Sequence, residues 1–153
     1  MHISKQLVVP VVVMVAGLGV LVGAQTTKAP AMAMSKAKKM TVSFVEPKNG
    51  ATVTSPVHMK FAATGVEIAA VPPGDITTAR PGMAHYHVGV GVSCLPPGKN
   101  IVKGTPSWIH FGDGKSDIDM QLTPGKHKLA LQLGDDLHNT LPGACQMITV
   151  TVK

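Results

Sequence analysis

The chain has 153 residues, enough for one ordinary domain, and carries a net charge of +6 with seven histidines and two cysteines. The charge is unevenly placed: five of the fourteen basic residues precede Met40, and from Met40 onward nine basic residues face eight acidic ones. A nearly neutral domain with only five aromatic residues lacks both the basic face and the stacking groups of a nucleic-acid binder, so that class is set aside.

The N-terminus reads as a targeting segment. Lys5 supplies a positive start, Leu7 to Leu21 form an apolar run, and Val22-Gly23-Ala24 offers small residues for signal-peptidase cleavage. Residues 1–24 are therefore expected to be a signal peptide, with no membrane span left after cleavage and a periplasmic or secreted location. Residues 25–39 are rich in Ala, Thr, Lys, Met and Pro without apolar periodicity, the composition of a flexible basic tail. In an oxidising compartment the only two cysteines, Cys94 and Cys145, are most economically read as one disulfide.

From Met40 to Lys153 the pattern is that of a β domain. Val42, Phe44 and Glu46 alternate with Thr41, Ser43 and Val45 before the turn Pro47-Lys48-Asn49-Gly50. Val57, Met59 and Phe61 alternate with His58 and Lys60, which leaves His58 on a solvated face. Ile118, Met120 and Leu122 alternate in the same way. His127, Leu129, Leu131 and Leu133 share one phase, and Ile148, Val150 and Val152 end the chain. About seven short strands, with turn residues between them and no helical stretch of useful length, predict an all-β, immunoglobulin-like sandwich. A domain of this size can build its core without a metal, so a bound ion would serve function rather than folding.

The segment Met83 to Val92 carries the strongest functional signal. Tyr86, Val88, Val90 and Val92 make one apolar face, while Met83, His85 and His87 share the other, continued by Gly89 and Gly91. Two histidines at alternate positions of a strand stand about 7 Å apart along it, within reach of a single ion. In Trp108-Ile109-His110-Phe111 the apolar pair Ile109 and Phe111 turns His110 the other way. His127 shares parity with the leucines that follow it, and His138 lies in a loop after Asp135-Asp136, which could orient it. Candidate ligands are thus His85, His87, His110 and either His127 or His138, with Met83 as an optional soft ligand. Binding through imidazole is expected to fail below about pH 6, where histidine protonates. Asp113 to Asp117 lacks the ligand spacing of a calcium loop, and no nucleophile or acid–base motif supports a particular reaction.

Gly50-Ala51-Thr52-Val53-Thr54-Ser55-Pro56-Val57, His85-Tyr86-His87, His110-Phe111-Gly112, Pro124-Gly125-Lys126-His127-Lys128-Leu129, Leu133-Gly134-Asp135-Asp136-Leu137-His138 and Ile148-Thr149-Val150 occur in this order. Together they resemble a family of small exported bacterial proteins known mainly as a domain of unknown function. The family's usual pattern runs Gly-His-His-His, His-Phe-Gly, Pro-Gly-x-His, Leu-Gly-Asp-x-x-His. Tyr86 stands where that pattern has its middle histidine, and Met83 and the two cysteines are additions to it. The resemblance implies an exported β-sandwich with a histidine cluster and brings no established activity. Two functions remain open on the sequence: an exported metal-binding protein, copper ahead of zinc, for capture, buffering or delivery, or an immunoglobulin-like accessory module of the cell envelope with no metal function, whose histidines are surface or supporting groups and whose partner is another envelope protein or a glycan.

Overall fold

A computed structural model describes residues 39–153; the expected signal peptide and nearly all of the tail precede them. Nine strands form in the order β1 (Thr41–Glu46), β2 (Thr52–Val53), β3 (Val57–Thr64), β4 (Glu67–Ile68), β5 (Met83–Val90), β6 (Trp108–Phe111), β7 (Asp117–Met120), β8 (Gly125–Gly134) and β9 (Thr140–Val152). β2 and β4 have two residues each, so the seven longer strands are those that alternation in the sequence marks out. No helix forms among the described residues, and the fold is a β-sandwich.

One sheet has the order β1-β3-β7; the other runs β2-β9-β8-β5-β4, with β6 also on β5. Labelled as in an immunoglobulin sandwich, these are A-B-E against G-F-C. β5 is central to the second sheet. One of its edges pairs antiparallel with β8; the other pairs with β4 at Met83 and Ala84, then with β6 from Tyr86 to Gly89.

The inner faces supply the core. Val42, Phe44, Val57, Met59, Phe61 and Met120 meet Tyr86, Val88, Leu129, Leu131, Leu133, Ile148, Val150 and Val152. Glu46, placed in the same phase by simple alternation, is exposed instead. A bulge between Phe44 and Glu46 shifts the register there, and on the outer edge of β1 the Phe44 amide donates to the Gln146 side-chain oxygen (2.7 Å).

Part of the outer face of the second sheet is covered, while Lys126, Lys128 and Met147 on the same face are exposed. Ile101, Trp108 and Ala130 form a small second cluster, with Val92, Leu95 and Cys145 packed against it. Trp108 lies over Gly89, where any Cβ would meet the indole and Val92. The connection between β5 and β6 is fixed over this face in three ways. Cys94 is bonded to Cys145 of β9. Gln132 of β8, itself buried, accepts from the Leu95 amide (2.9 Å) and donates to the Leu95 carbonyl (2.8 Å). Thr140 exchanges backbone bonds with Gly98 and Lys99. Unlike the inter-sheet bond of antibody domains, this disulfide ties a loop to the back of one sheet.

Because Leu131 is fully buried between the sheets while Met147 on the outer face is 40% exposed, the two should respond very differently to truncation. Leu131→Ala is expected to cost about 2–5 kcal/mol in urea denaturation, and Met147→Ala less than about 0.5 kcal/mol.

Candidate metal centre

The register that buries Tyr86 and Val88 inward turns His85 and His87 outward, and both are completely buried there. On β6, His110 stands directly opposite His87, just as Ile109 stands opposite Val88 and Phe111 opposite Tyr86. The fourth histidine comes from the turn between β8 and β9. Since β8 ends at Gly134 opposite His85, the turn that follows begins beside the pair.

That turn is built to hold His138 in place. Asp135 accepts from the Leu137 and Asn139 amides (2.9 and 2.8 Å), and its carbonyl accepts from the His138 amide (2.8 Å). The His138 carbonyl accepts from the Ile101 amide (2.8 Å), and Asn100 donates to the Leu137 carbonyl (2.8 Å), so the covering loop grips the turn. His138 has φ 67°, a left-handed conformation uncommon outside glycine. Such strain persists where the surroundings over-determine the backbone, and it collects at functional sites. Asp136 holds the neighbouring connection instead: Arg80 donates to both its oxygens (2.8 Å each) through Nε and an Nη, and reaches the Ala70 carbonyl (2.7 Å). The hydrogen bonds from Arg80 keep the Asp136 carboxyl depressed to about 2. Neither aspartate bonds an imidazole, contrary to the expectation that the acidic pair orients the ring itself; they fix the backbone around it.

One nitrogen from each of His85, His87, His110 and His138 lies within 4.8 Å of the others, and the ring centroids are separated by 4.5 to 5.5 Å. A four-coordinate ion with nitrogens at about 2.0–2.1 Å needs them about 3.4 Å apart in a tetrahedron, or about 4.1 Å across a square. A modest inward movement of the rings therefore suffices for the group to hold one ion. Both nitrogens of His85 and His87, and Nε2 of His110 and His138, are buried without a hydrogen-bond partner among the described residues. Buried polar atoms are nearly always satisfied, and one such nitrogen on each of the four rings is free to take a metal ion.

Burial, with the neighbouring imidazoles adding to it, lowers the pKa of His85 to about 3 and of His87 to about 2. His110 and His138 are lowered too, first by burial. All four rings are neutral at pH 7, with lone pairs available for coordination.

Two glycines make room for the rings. A Cβ at Gly134 would lie 2.7 Å from His87 Cε1, and one at Gly112 would lie 2.2 Å from His110 Cε1. Both glycines lie within motifs legible in the sequence, His110-Phe111-Gly112 and Leu133-Gly134-Asp135, and their position at a strand end beside a histidine is the signal that points to this role.

The structure places the remaining candidates elsewhere or leaves them at the margin. His127 is not with the cluster. Its parity with Leu129, Leu131 and Leu133 puts it on the inner side of the sheet. It also sits seven residues from Gly134, about 23 Å along the strand, where its Nε2 donates to the Thr123 carbonyl (2.7 Å). Of the two alternatives for the fourth histidine, the geometry groups His138. Met83 opens β5 on the histidine face and is half-buried. His58 is solvated and paired with Asp119 (2.9 Å).

Sandwich and cluster together define a β-sandwich protein with a buried four-histidine group able to hold a metal ion. By sequence the chain belongs to the family described as Domain of unknown function (DUF4399), which matches residues 57–153. β1 and β2 lie outside that match yet complete the sandwich. No curated protein and no solved structure matches the chain.

Two outcomes follow from this geometry. Gly134→Ala should displace the His87 ring and weaken metal binding in a titration by about tenfold or more, as loss of a supporting group at a metal site does. His85 and His87 are held neutral in the fold but protonate near 6.5 when the chain unfolds. Their stabilisation is complete above pH 6.5 and is lost as pH falls toward the folded values. Urea denaturation of the metal-free protein should therefore show stability falling below pH 6.5 by about 1.4 kcal/mol per pH unit for each of the two, about 3 kcal/mol together. A His85→Leu/His87→Leu variant should show a flatter profile.

Proposed function

We propose that this is an exported metal-binding protein that captures, buffers or delivers a transition-metal ion, copper ahead of zinc, in the periplasm or outside the cell. The observation that carries the reading is the convergence of four imidazoles, three of them buried and His110 half-buried, each with at least one buried nitrogen that has no partner among the described residues. Imidazole suits copper, zinc, iron and nickel alike, and copper(II) has the highest affinity among the divalent ions for such donors. Met83, at the alternate position before His85, would add a thioether if the copper were reduced.

The hydrophobic core lies between the sheets and the histidines lie behind one of them. The fold thus has its own stability, and an ion would be cargo or cofactor rather than a structural staple. The Cys94–Cys145 bond supports an oxidising compartment. No described helix is long and apolar enough to cross a membrane. Burial weighs against the alternative of an accessory module whose histidines are surface groups, because His85 and His87 have no exposed surface.

Titration of Cu(II), Cu(I) and Zn(II) against protein made without a histidine tag tests the reading. One equivalent should bind, and His85→Ala/His87→Ala should weaken binding by at least about 100-fold, beyond what removal of supporting groups costs. His127→Ala should bind as the wild type does. Because burial holds the imidazoles below the usual histidine range, binding should persist at about pH 6, where an exposed histidine site would begin to fail. Absent binding, or binding unchanged in the double variant, would contradict the proposal.

A further inference from the structure

The four histidines are not equally enclosed. His85 and His87 have no accessible surface, whereas His110 and His138 line a cleft of about 550 Å³ that also borders Val71, Ile76, Leu137 and Lys103. An ion held by the four rings would have a protein floor and one side facing this cleft. The volume is within the range of small-molecule sites and far above the roughly 30 Å³ of a water.

The charge around the cleft is specific. Neutral imidazoles leave a divalent ion with its full charge, and the ligating group contains no thiolate or carboxylate to offset it. Lys103 adds a positive field felt by His85, His110 and His138. Two carboxylates also border the cleft. Asp136 is committed through both oxygens to Arg80, leaving Asp75 on the wall as the one negative group there without a described ion-pair partner. A closed cage would need no such approach, and a cation entering from solvent would gain nothing from Lys103.

We propose that the cleft binds a small anion, a carboxylate or an inorganic monoanion, which occupies the open side of the metal while Lys103 acts as its counter-ion. The inference rests on metal binding by the four histidines. It adds that the loaded site is ligand-accepting, so that the cargo is held or exchanged as a mixed complex with an anion.

The test uses the full chain loaded with one equivalent of Cu(II). Azide is titrated at constant ionic strength, and the azide-to-copper charge-transfer absorption is followed; formate, added as competitor, reports on carboxylates. Azide should bind saturably and be displaced by formate. Lys103→Ala should weaken azide by about three- to fivefold with the copper affinity unchanged, Lys103→Arg should restore it, and Asp75→Asn should tighten it. Copper-loaded protein that gives no azide band, or Lys103→Ala with the wild-type azide affinity, would overturn the anion site while leaving the metal site standing. Failure of the chain to bind copper would overturn both.

Discussion

Removing an imidazole nitrogen from water without giving it a hydrogen-bond partner costs free energy, on the order of 1–3 kcal/mol for a buried polar atom. This sandwich does so at six nitrogens within one small volume behind its second sheet. The surrounding parts are arranged to fix the contents of that volume and to wall it on every side but the cleft at His110 and His138. Arg80 and Asp136 pin one covering connection. Gln132 and the Cys94–Cys145 bond pin another. Asp135 shapes the turn that delivers His138. An ion bound as proposed would turn four of these nitrogens, one from each ring, from a cost into ligands, and rings neutral at pH 7 are ready for it.

Precision in the site comes from the core. A strand's two faces are locked together by the pleat, so the register that sets Val88 opposite Leu131 also sets His87 opposite Gln132 on β8 and opposite His110 on β6. Three of the four histidines thus sit on rigid, paired backbone, and only His138 depends on a loop. That loop carries the one non-glycine residue with positive φ among the described residues, and Asp135 accepts from two of its amides. Where strand geometry does not place the fourth histidine, side-chain and backbone bonds do so instead.

Much of this was legible in the sequence because alternation is a two-state signal. The inner residues of β3, β5, β7, β8 and β9, and the outward turn of His85, His87 and His110, follow from parity alone. Parity also carried the information that separates His127 from the cluster, since it shares the phase of Leu129 and Leu131 while His85 opposes the phase of Val88. Other features were not legible because they depend on non-local approach. That the histidine face is roofed over, that Arg80 meets Asp136 across 56 residues, and that Lys103 borders the same cleft as His138 follow from how the loops fold back. The exposed Glu46 was misplaced for a local reason: a bulge adds one residue to a strand and reverses every later face.

The inferred chemistry follows from enclosure on one side and access on the other. Buried His85 and His87 form the floor, while His110 and His138 meet the cleft, an arrangement suited to an ion that arrives and leaves. The central claim is that one ion is held jointly by these four rings, and X-ray absorption at the metal edge, paired with a crystal structure of the loaded protein, tests it most directly. The expected result is a single ion with nitrogen ligands at about 2.0–2.1 Å from His85, His87, His110 and His138. An ion found at any other place, or one bound without His85 and His87, would contradict the claim.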